Sequence, residues 1–408
     1  MKKINARAHL LRYGLCVVLF FMSLGHADWQ TIYNGSGYAL KSVCFPVDAQ
    51  TGWVVGYGAS DNRLLKTTDG GENWVLQDAG VTSGLMGVFF RANNDIGYAV
   101  GIDGTIIKTT NGGAEWIPQN SGVTNDLHAI QFPVDEDTGY AVGDYGVILK
   151  TKDGGTNWTP QNSGTTGWLT DLDFPVDART GYAVGHMCAL KTTNGGVNWL
   201  DITDTTMYMG LEAVEFPVND QVGFASGYDM FIFKTTDGGV TWDSTRPFIA
   251  TEDYAAVHTL SFPINEQVGY AGGTGFNIFK TTDAGNTWVD QPAPFGIVYS
   301  IIFPVDNDTG YASCDETHIL KTTDGGNFVV ETVNSKSDKL QLTVHPNPVM
   351  STARIPGQSQ TVFYIYDVTG RQVGSCRGDG IGQNLKPGIY FAETANSAKQ
   401  RVKFIKLH

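Results

Sequence analysis

The sequence predicts an all-β chain, a seven-bladed β-propeller followed by a small C-terminal Ig-like β-sandwich. Three observations carry this reading. A near-identical segment recurs seven times between residues 62 and 330. The runs between its turns alternate in hydrophobicity at the period of strands, with no amphipathic helix among them. After residue 334 the repeat stops and the charge changes sign. The Asp or Asn of each copy falls at 69, 111, 153, 194, 237, 283 and 324, in steps of 42, 42, 41, 43, 46 and 41 residues. A period in the low forties built from short strand-like runs marks blades of four strands each.

Residues 1–27 read as a secretory signal. Lys2, Lys3, Arg7 and Arg12 form a basic start, Leu15 to Leu24 is apolar, and Gly25-His26-Ala27 supplies small residues for cleavage. The apolar run is too short for a membrane-spanning helix, so no transmembrane segment is expected. The propeller is assigned to residues 28–333, a linker to 334–339 and the tail domain to 340–408. Residues 28–333 hold 37 Asp and Glu against 13 Lys and Arg, a charge of −24; residues 334–408 hold 4 against 10, or +6. A body this acidic repels phosphate backbones, which argues against nucleic acid as a partner. Cys44, Cys188, Cys314 and Cys376 are scattered, with no CxxC or Cys/His metal spacing, so neither metal nor cofactor is expected. Closure of the ring makes Cys44 and Cys314 neighbours across the seam, either as a disulfide or as buried thiols.

The third repeat displays one blade. Leu127 to Phe132 alternates as a half-buried strand, and Pro133 to Thr138 turns the chain. Gly139 to Gly143 forms a second strand of small residues, and Asp144-Tyr145-Gly146 turns tightly into Val147 to Thr151. Asp153-Gly154-Gly155 turns again, and Trp158 opens the fourth strand. In that last turn a carboxylate or amide accepts hydrogen bonds from amides just downstream, while the glycines tolerate positive φ.

This T-x-[DN]-x-G-x-x-W pattern resembles the Asp-box of bacterial-neuraminidase-type repeats. The fuller repeat, F-P-V-D-x-x-T-G-Y-A-V-G-x-x-G-x-I-L-K-T-T-D-G-G-x-x-W, is similar to the photosystem II assembly and stability factor family over about residues 29–333. The resemblance implies the propeller fold and, for function, a photosystem assembly role associated with an arginine-rich surface patch. Asp69 with Trp74, Asn111 with Trp116, Asp153 with Trp158, Asn194 with Trp199, Asp237 with Trp242, Asp283 with Trp288, and Asp324 are expected to be structural, because they repeat in every blade where function need not. The Lys before each box (66, 108, 150, 191, 234, 280 and 321) is expected to pair locally.

The seventh box, Thr323-Asp324-Gly325-Gly326-Asn327-Phe328, lacks its Trp, whereas Trp29 stands unclaimed near the start. The segment from about Trp29 to Tyr33 is therefore expected to form the outer strand of the last blade, hiding an edge. In the tail, His345-Pro346-Asn347-Pro348-Val349, Tyr364 to Arg371, Leu385 to Phe391 and Lys403 to Lys406 read as strands and turns. Together they are similar to the type A C-terminal sorting domain of the type IX secretion system. That resemblance implies a secretion-machinery partner for residues 340–408 and release or anchoring at the cell surface.

The loops joining second to third strands, and blade to blade, vary in length and composition, while the opposite face is monotonous. Candidate binding residues on the variable face are Tyr57, Arg63, Asp144, Tyr145, Trp168, His186, Tyr228, Asp229 and Phe276. Aromatics beside carboxylates suit a glycan or a protein loop. The first functional expectation is a monomeric, non-enzymatic binding propeller at the cell surface. The alternative is a sialidase-like glycoside hydrolase, which resembles a cluster of three arginines around a substrate carboxylate. Only Arg63, Arg91, Arg179 and Arg246 lie in this propeller, in different repeat contexts, and without such a cluster nothing holds the anion.

Overall fold

The computed structural model describes residues 29–326, apart from 59–60, 205–206, 208–209, 247–254, 276 and 295. In the tail it describes residues 362–367, 371–377, 385–386, 388–394 and 401–406. The signal segment, the linker, the 345–349 motif and Phe276 lie outside the described residues. The chain divides into two compact units, His26–Phe328 and a second that holds Val329–His408.

The first unit is a propeller of seven four-stranded antiparallel sheets. Blade three is Leu127–Gln131, Gly139–Gly143, Ile148–Thr151 and Thr159–Gln161, paired in that order. The innermost strands begin at Tyr38, Leu85, Leu127, Leu169, Leu211, Val257 and Val298. Each packs against the next and the seventh packs against the first, so the ring is closed. The second strand is buried end to end in blades two to seven, and in blade one as far as Gly56, because sheets cover both its faces.

The seam is made as the missing Trp predicts. Gln30–Asn34 pairs antiparallel with His318–Thr322 as the outer strand of blade seven. In blades one to six the box Trp meets the ring of its own blade's first-strand Phe edge-on, as Trp158 meets Phe132 at 6.1 Å and 82°. In blade seven Trp29, 2% exposed, meets Phe303 at 5.8 Å and 86°. The first strand of the chain thus completes the last blade's box.

The boxes are self-contained turns. In blade three Thr151 Oγ1 donates to Asp153 Oδ1 at 2.9 Å, and the Gly155 and Asn157 amides donate to Thr151 Oγ1 and Asp153 Oδ1. Gly154 and Gly155 sit at φ of 65° and 86°, which L side chains rarely adopt.

The box lysines pair more distantly than the sequence suggests. Each donates to a carbonyl in the next blade's box, at 2.6–3.0 Å: Lys66 to Gly112, Lys108 to Gly154, Lys150 to Gly195, Lys191 to Gly238, Lys234 to Ala284, Lys280 to Gly325 and Lys321 to Gly70. Beside them the second-strand aromatic of each blade stacks on the next blade's Phe at 3.8–4.1 Å, from Trp53 on Phe90 round to Tyr311 on Phe45. The Phe ring lies across the glycine that opens the second strand; a Cβ on Gly139 would stand 2.5 Å from Phe132.

Cys44, Cys188 and Cys314 are free and buried. Cys44 packs in the cluster shared with Trp53, Phe90 and Trp116, and Cys314 packs with Trp29, Ile278 and Phe303. The disulfide alternative fails because the two thiols serve different apolar clusters, and burial raises both well above the usual thiol range.

In the second unit Gln372–Arg377, Val362–Asp367, Gly388–Thr394 and Arg401–Lys406 form one antiparallel sheet in that order. Phe363 and Ile365 are buried while Tyr364 between them is exposed, the period of a half-buried strand. A sandwich needs a second sheet, and none lies among the described residues.

Trp29→Ala should destabilise the propeller by about 3–5 kcal/mol, as deletion of a buried indole does. Gly139→Ala should cost about 1–3 kcal/mol by overpacking against Phe132. Denaturant unfolding of each variant measures both, and a Trp29→Ala loss below about 1 kcal/mol would remove the seam as a stabilising element.

Candidate functional site at the channel mouth

In every blade the pairing of first and second strands slips by one residue just after the first buried aliphatic residue. The slip falls between Leu40 and Ser42, Leu85 and Gly87, Leu127 and Ala129, Leu169 and Asp171, Leu211 and Ala213, Val257 and Thr259, and Val298 and Ser300. The extra residues are Lys41, Met86, His128, Thr170, Glu212, His258 and Tyr299. A bulge frees its residue from the ladder and re-aims it. Here the seven bulges ring the entrance to the axis on the variable-loop side.

Several of these side chains converge. The Lys41 ammonium lies 3.5 Å from the centroid of the Tyr299 ring and 5.6 Å from that of Tyr57. The His258 and Tyr299 rings are 5.5 Å apart. His258 Nδ1 stands 3.6 Å from one Glu212 oxygen, and His186 Nε2 stands 3.8 Å from the other. The Tyr228 hydroxyl lies 3.4 Å from His186 Nε2, and the Trp168 and His186 rings are 5.2 Å apart. On the opposite arc His128 Nε2 and Asp144 Oδ1 are 2.7 Å apart.

The electrostatics follow from this crowding. Burial works against ionisation of Glu212, yet the imidazoles of His186 and His258 hold its carboxyl down to about 2. Burial lowers the Lys41 ammonium to about 8, with the charges of Glu212 and Asp315 pulling the other way. Burial, helped by Asp315, raises the Tyr299 phenol to about 12. The mouth thus holds a fixed carboxylate, a partly desolvated amine, two imidazoles and an aromatic wall.

Of the residues predicted from sequence, Tyr57, Trp168, His186 and Tyr228 join this cluster and Asp144 lies on its far arc. Arg63 instead stacks on Tyr38 at 3.9 Å, and Asp229 pairs with Arg246 at 3.2 Å. Tyr145 is 64% exposed at the tip of its turn, with φ of 57°. The four propeller arginines do not converge: Arg63 and Arg246 are engaged as described, and Arg91 and Arg179 sit in the turns of the opposite face. Among the described residues no group of three or more His, Cys, Asp or Glu is placed to hold a metal ion. A separate hollow of about 620 Å³ lies at the seam, lined by Asn34 to Ala39, Glu316 and His318. It is open to solvent and gathers no comparable set of ionisable groups.

Asp315 lies in a loop but was not singled out. Lys41, His128, Glu212, His258 and Tyr299 escape a sequence reading confined to loops. Their signal is columnar. The residue after the first aliphatic of each innermost strand is titratable in five of seven copies, where a purely structural position would repeat.

Below the mouth, polar side chains on the innermost strands reach the next blade's backbone. Val214 N donates to Asp171, Phe216 N to Asp173, and Phe262 N to Glu215, at 2.8–3.0 Å. Burial raises these carboxyls to about 7, 6 and 8, with the backbone donors opposing it. The folded chain therefore keeps protons that the unfolded chain releases from about pH 4 upward, and stability falls as pH rises through 6–8. The thermal midpoint should rise when pH is lowered from 8.5 to 5.5, and Asp171→Asn with Asp173→Asn should shrink that rise. A midpoint that drops over this range, with or without the substitutions, contradicts the assignment.

Comparison with known proteins agrees with the architecture. A family model described as photosynthesis system II assembly factor YCF48 matches residues 76–162. No curated protein matches the chain. Among solved structures, YCF48 bound to a D1 peptide is similar with a TM-score of 0.60 at 20% identity, over 72% of this chain and 95% of that one. YCF48 from Cyanidioschyzon merolae is similar with a TM-score of 0.60 at 18% identity, over 72% and 98%. An ancestral GH74 enzyme is similar with a TM-score of 0.59 at 14% identity, over 92% of this chain and 63% of that one. At these identities the likeness establishes the propeller fold.

Proposed function

We propose that this chain is an exported, non-catalytic binding propeller that holds a segment of a partner protein at the mouth of its central channel. The carrying observation is the convergence of Lys41, Glu212, His186 and His258 with Tyr57, Trp168, Tyr228 and Tyr299 on the variable-loop side. Aromatic rings beside charged groups supply apolar contact and directional polar contact together, the combination that anchors polypeptide ligands. A structurally similar propeller is known bound to a D1 peptide, which favours a protein segment over a glycan. The similarity to an assembly factor supports scaffolding in kind, while the photosystem role itself is not carried over. The arginine-poor, acidic propeller offers no arginine patch of the sort that role is associated with.

Residues 340–408 are proposed as the delivery device, a type IX sorting domain that takes the propeller to the cell surface. The supporting features are their order of segments and their basic charge.

The test screens the full mature chain against a random-peptide display and a glycan array. Peptides should be captured, and Trp168→Ala or Tyr299→Ala should weaken capture by tenfold or more. Binding of glycans alone, or hydrolysis of any of them, overturns the protein-segment reading. In the native host, deletion of residues 340–408 should leave the propeller inaccessible to protease added outside the cell; undiminished surface cleavage overturns the sorting assignment.

A further inference from the structure

Glu212 is held in an unusual state for a carboxylate so enclosed. Its side chain is 18% exposed, and it remains ionised far below neutral pH. A buried charge normally takes full hydrogen bonds. Here the imidazole nitrogens stand at 3.6 and 3.8 Å, within ion-pair range but beyond hydrogen-bond length. These two imidazoles and the Tyr228 phenol are the polar groups that border the carboxylate. The Tyr228 phenol borders the same charge, and burial and Glu212 together raise it above its ordinary range.

Around this acceptor stand ring faces. Trp168 is 43% exposed, and Tyr228 and Tyr299 flank the two histidines. The capacity of this wall for a cation is already displayed, because the Lys41 ammonium rests on the Tyr299 face at 3.5 Å. The wider field has the same sign. The propeller carries −24, and its variable-side turns present Asp61, Asp103, Asp144, Asp229, Asp315 and Glu316.

Resting on the binding reading above, we infer that Glu212 is the anchor for a positively charged side chain, so that the partner is a basic, lysine- or arginine-bearing polypeptide segment. An ammonium or guanidinium entering the mouth would donate directly to the carboxylate, replacing two long contacts with charge-assisted hydrogen bonds, and would lie against Trp168 and Tyr228. An acidic segment would instead meet the like charges of Glu212 and Asp315.

The experiment uses the full mature chain and three fluorescent nonapeptides of one backbone pattern, carrying Lys and Arg, or Gln, or Glu at the same positions. The basic peptide should bind at least tenfold more tightly than the other two, and more weakly as salt rises from 50 to 300 mM. Glu212→Gln should lose tenfold or more for the basic peptide alone, in a chain that still unfolds in one cooperative transition. Glu72→Gln, the same charge change on the box face, should alter affinity by less than twofold. Trp168→Ala supplies a second variant that leaves the buried ring intact. Equal binding of the basic peptide by Glu212→Gln overturns the inference. If the neutral or acidic peptide binds as well and only Trp168→Ala weakens it, the mouth stands as a binding site and the charge preference falls. If none of the three binds, the inference fails, and the protein-segment reading fails with it when the display screen is also empty.

Discussion

Each blade grips the next at one carbonyl. The lysine next to last in a blade's third strand donates to the box of its neighbour, and the aromatic beside it stacks on that neighbour's Phe. The bond is charge-assisted and half-buried, so it is stronger than an exposed ion pair and leaves no buried carbonyl unmet. It couples geometry to chemistry, since the carbonyl is presented only if the Asp-box is folded. A box that misfolds therefore loosens its own blade and the grip of the blade before it. Because Lys321 and Tyr311 take the carbonyl of Gly70, the chain of grips has no end. With Gln30–Asn34 laid on blade seven, closure relies on both packing and strand pairing.

That closure sets the geometry of the mouth. Seven innermost strands can meet around one axis only at a common radius, and the bulge at the same place in each frees one residue from the ladder. Side chains up to 258 residues apart in sequence, Lys41 and Tyr299 among them, are brought into contact with no adjustment in between. Among these contacts the Glu212 carboxylate sits between two imidazoles, at 3.6 and 3.8 Å.

Much of the fold was legible because its determinants repeat. The Asp-boxes, the period and the orphaned Trp29 are each local signals, and repetition multiplied them. The interblade grip of the lysines was less legible. Lys108 sits beside its own box in sequence, yet its ammonium reaches Gly154 in the next blade. The site was half legible for a different reason. Loop residues such as Trp168, His186 and Tyr228 stand out by type, whereas Glu212 and His258 occupy strand positions that alternation assigns to a half-buried face. The bulge that re-aims them leaves no mark in a single blade. It emerges only when seven copies are set in register and one column refuses to repeat.

That column separates construction from recognition more cleanly than exposure does. The ring of Phe, the buried Gly and the box Thr are nearly invariant between blades because every interface poses the same packing problem. A residue released from that problem by a bulge is free to differ, and here the seven differ in charge, size and hydrogen-bonding type. Random drift at a solvent-filled channel would scatter polar residues without coupling them. Instead Lys41, Tyr299, His258 and Glu212, from blades one, seven, six and five, touch in unbroken sequence around the ring and continue through His186 to Tyr228. A contiguous polar arc covering five blades, set against the smaller His128–Asp144 pair, gives the mouth a side. A ring built from near-equal parts thereby acquires one polar side.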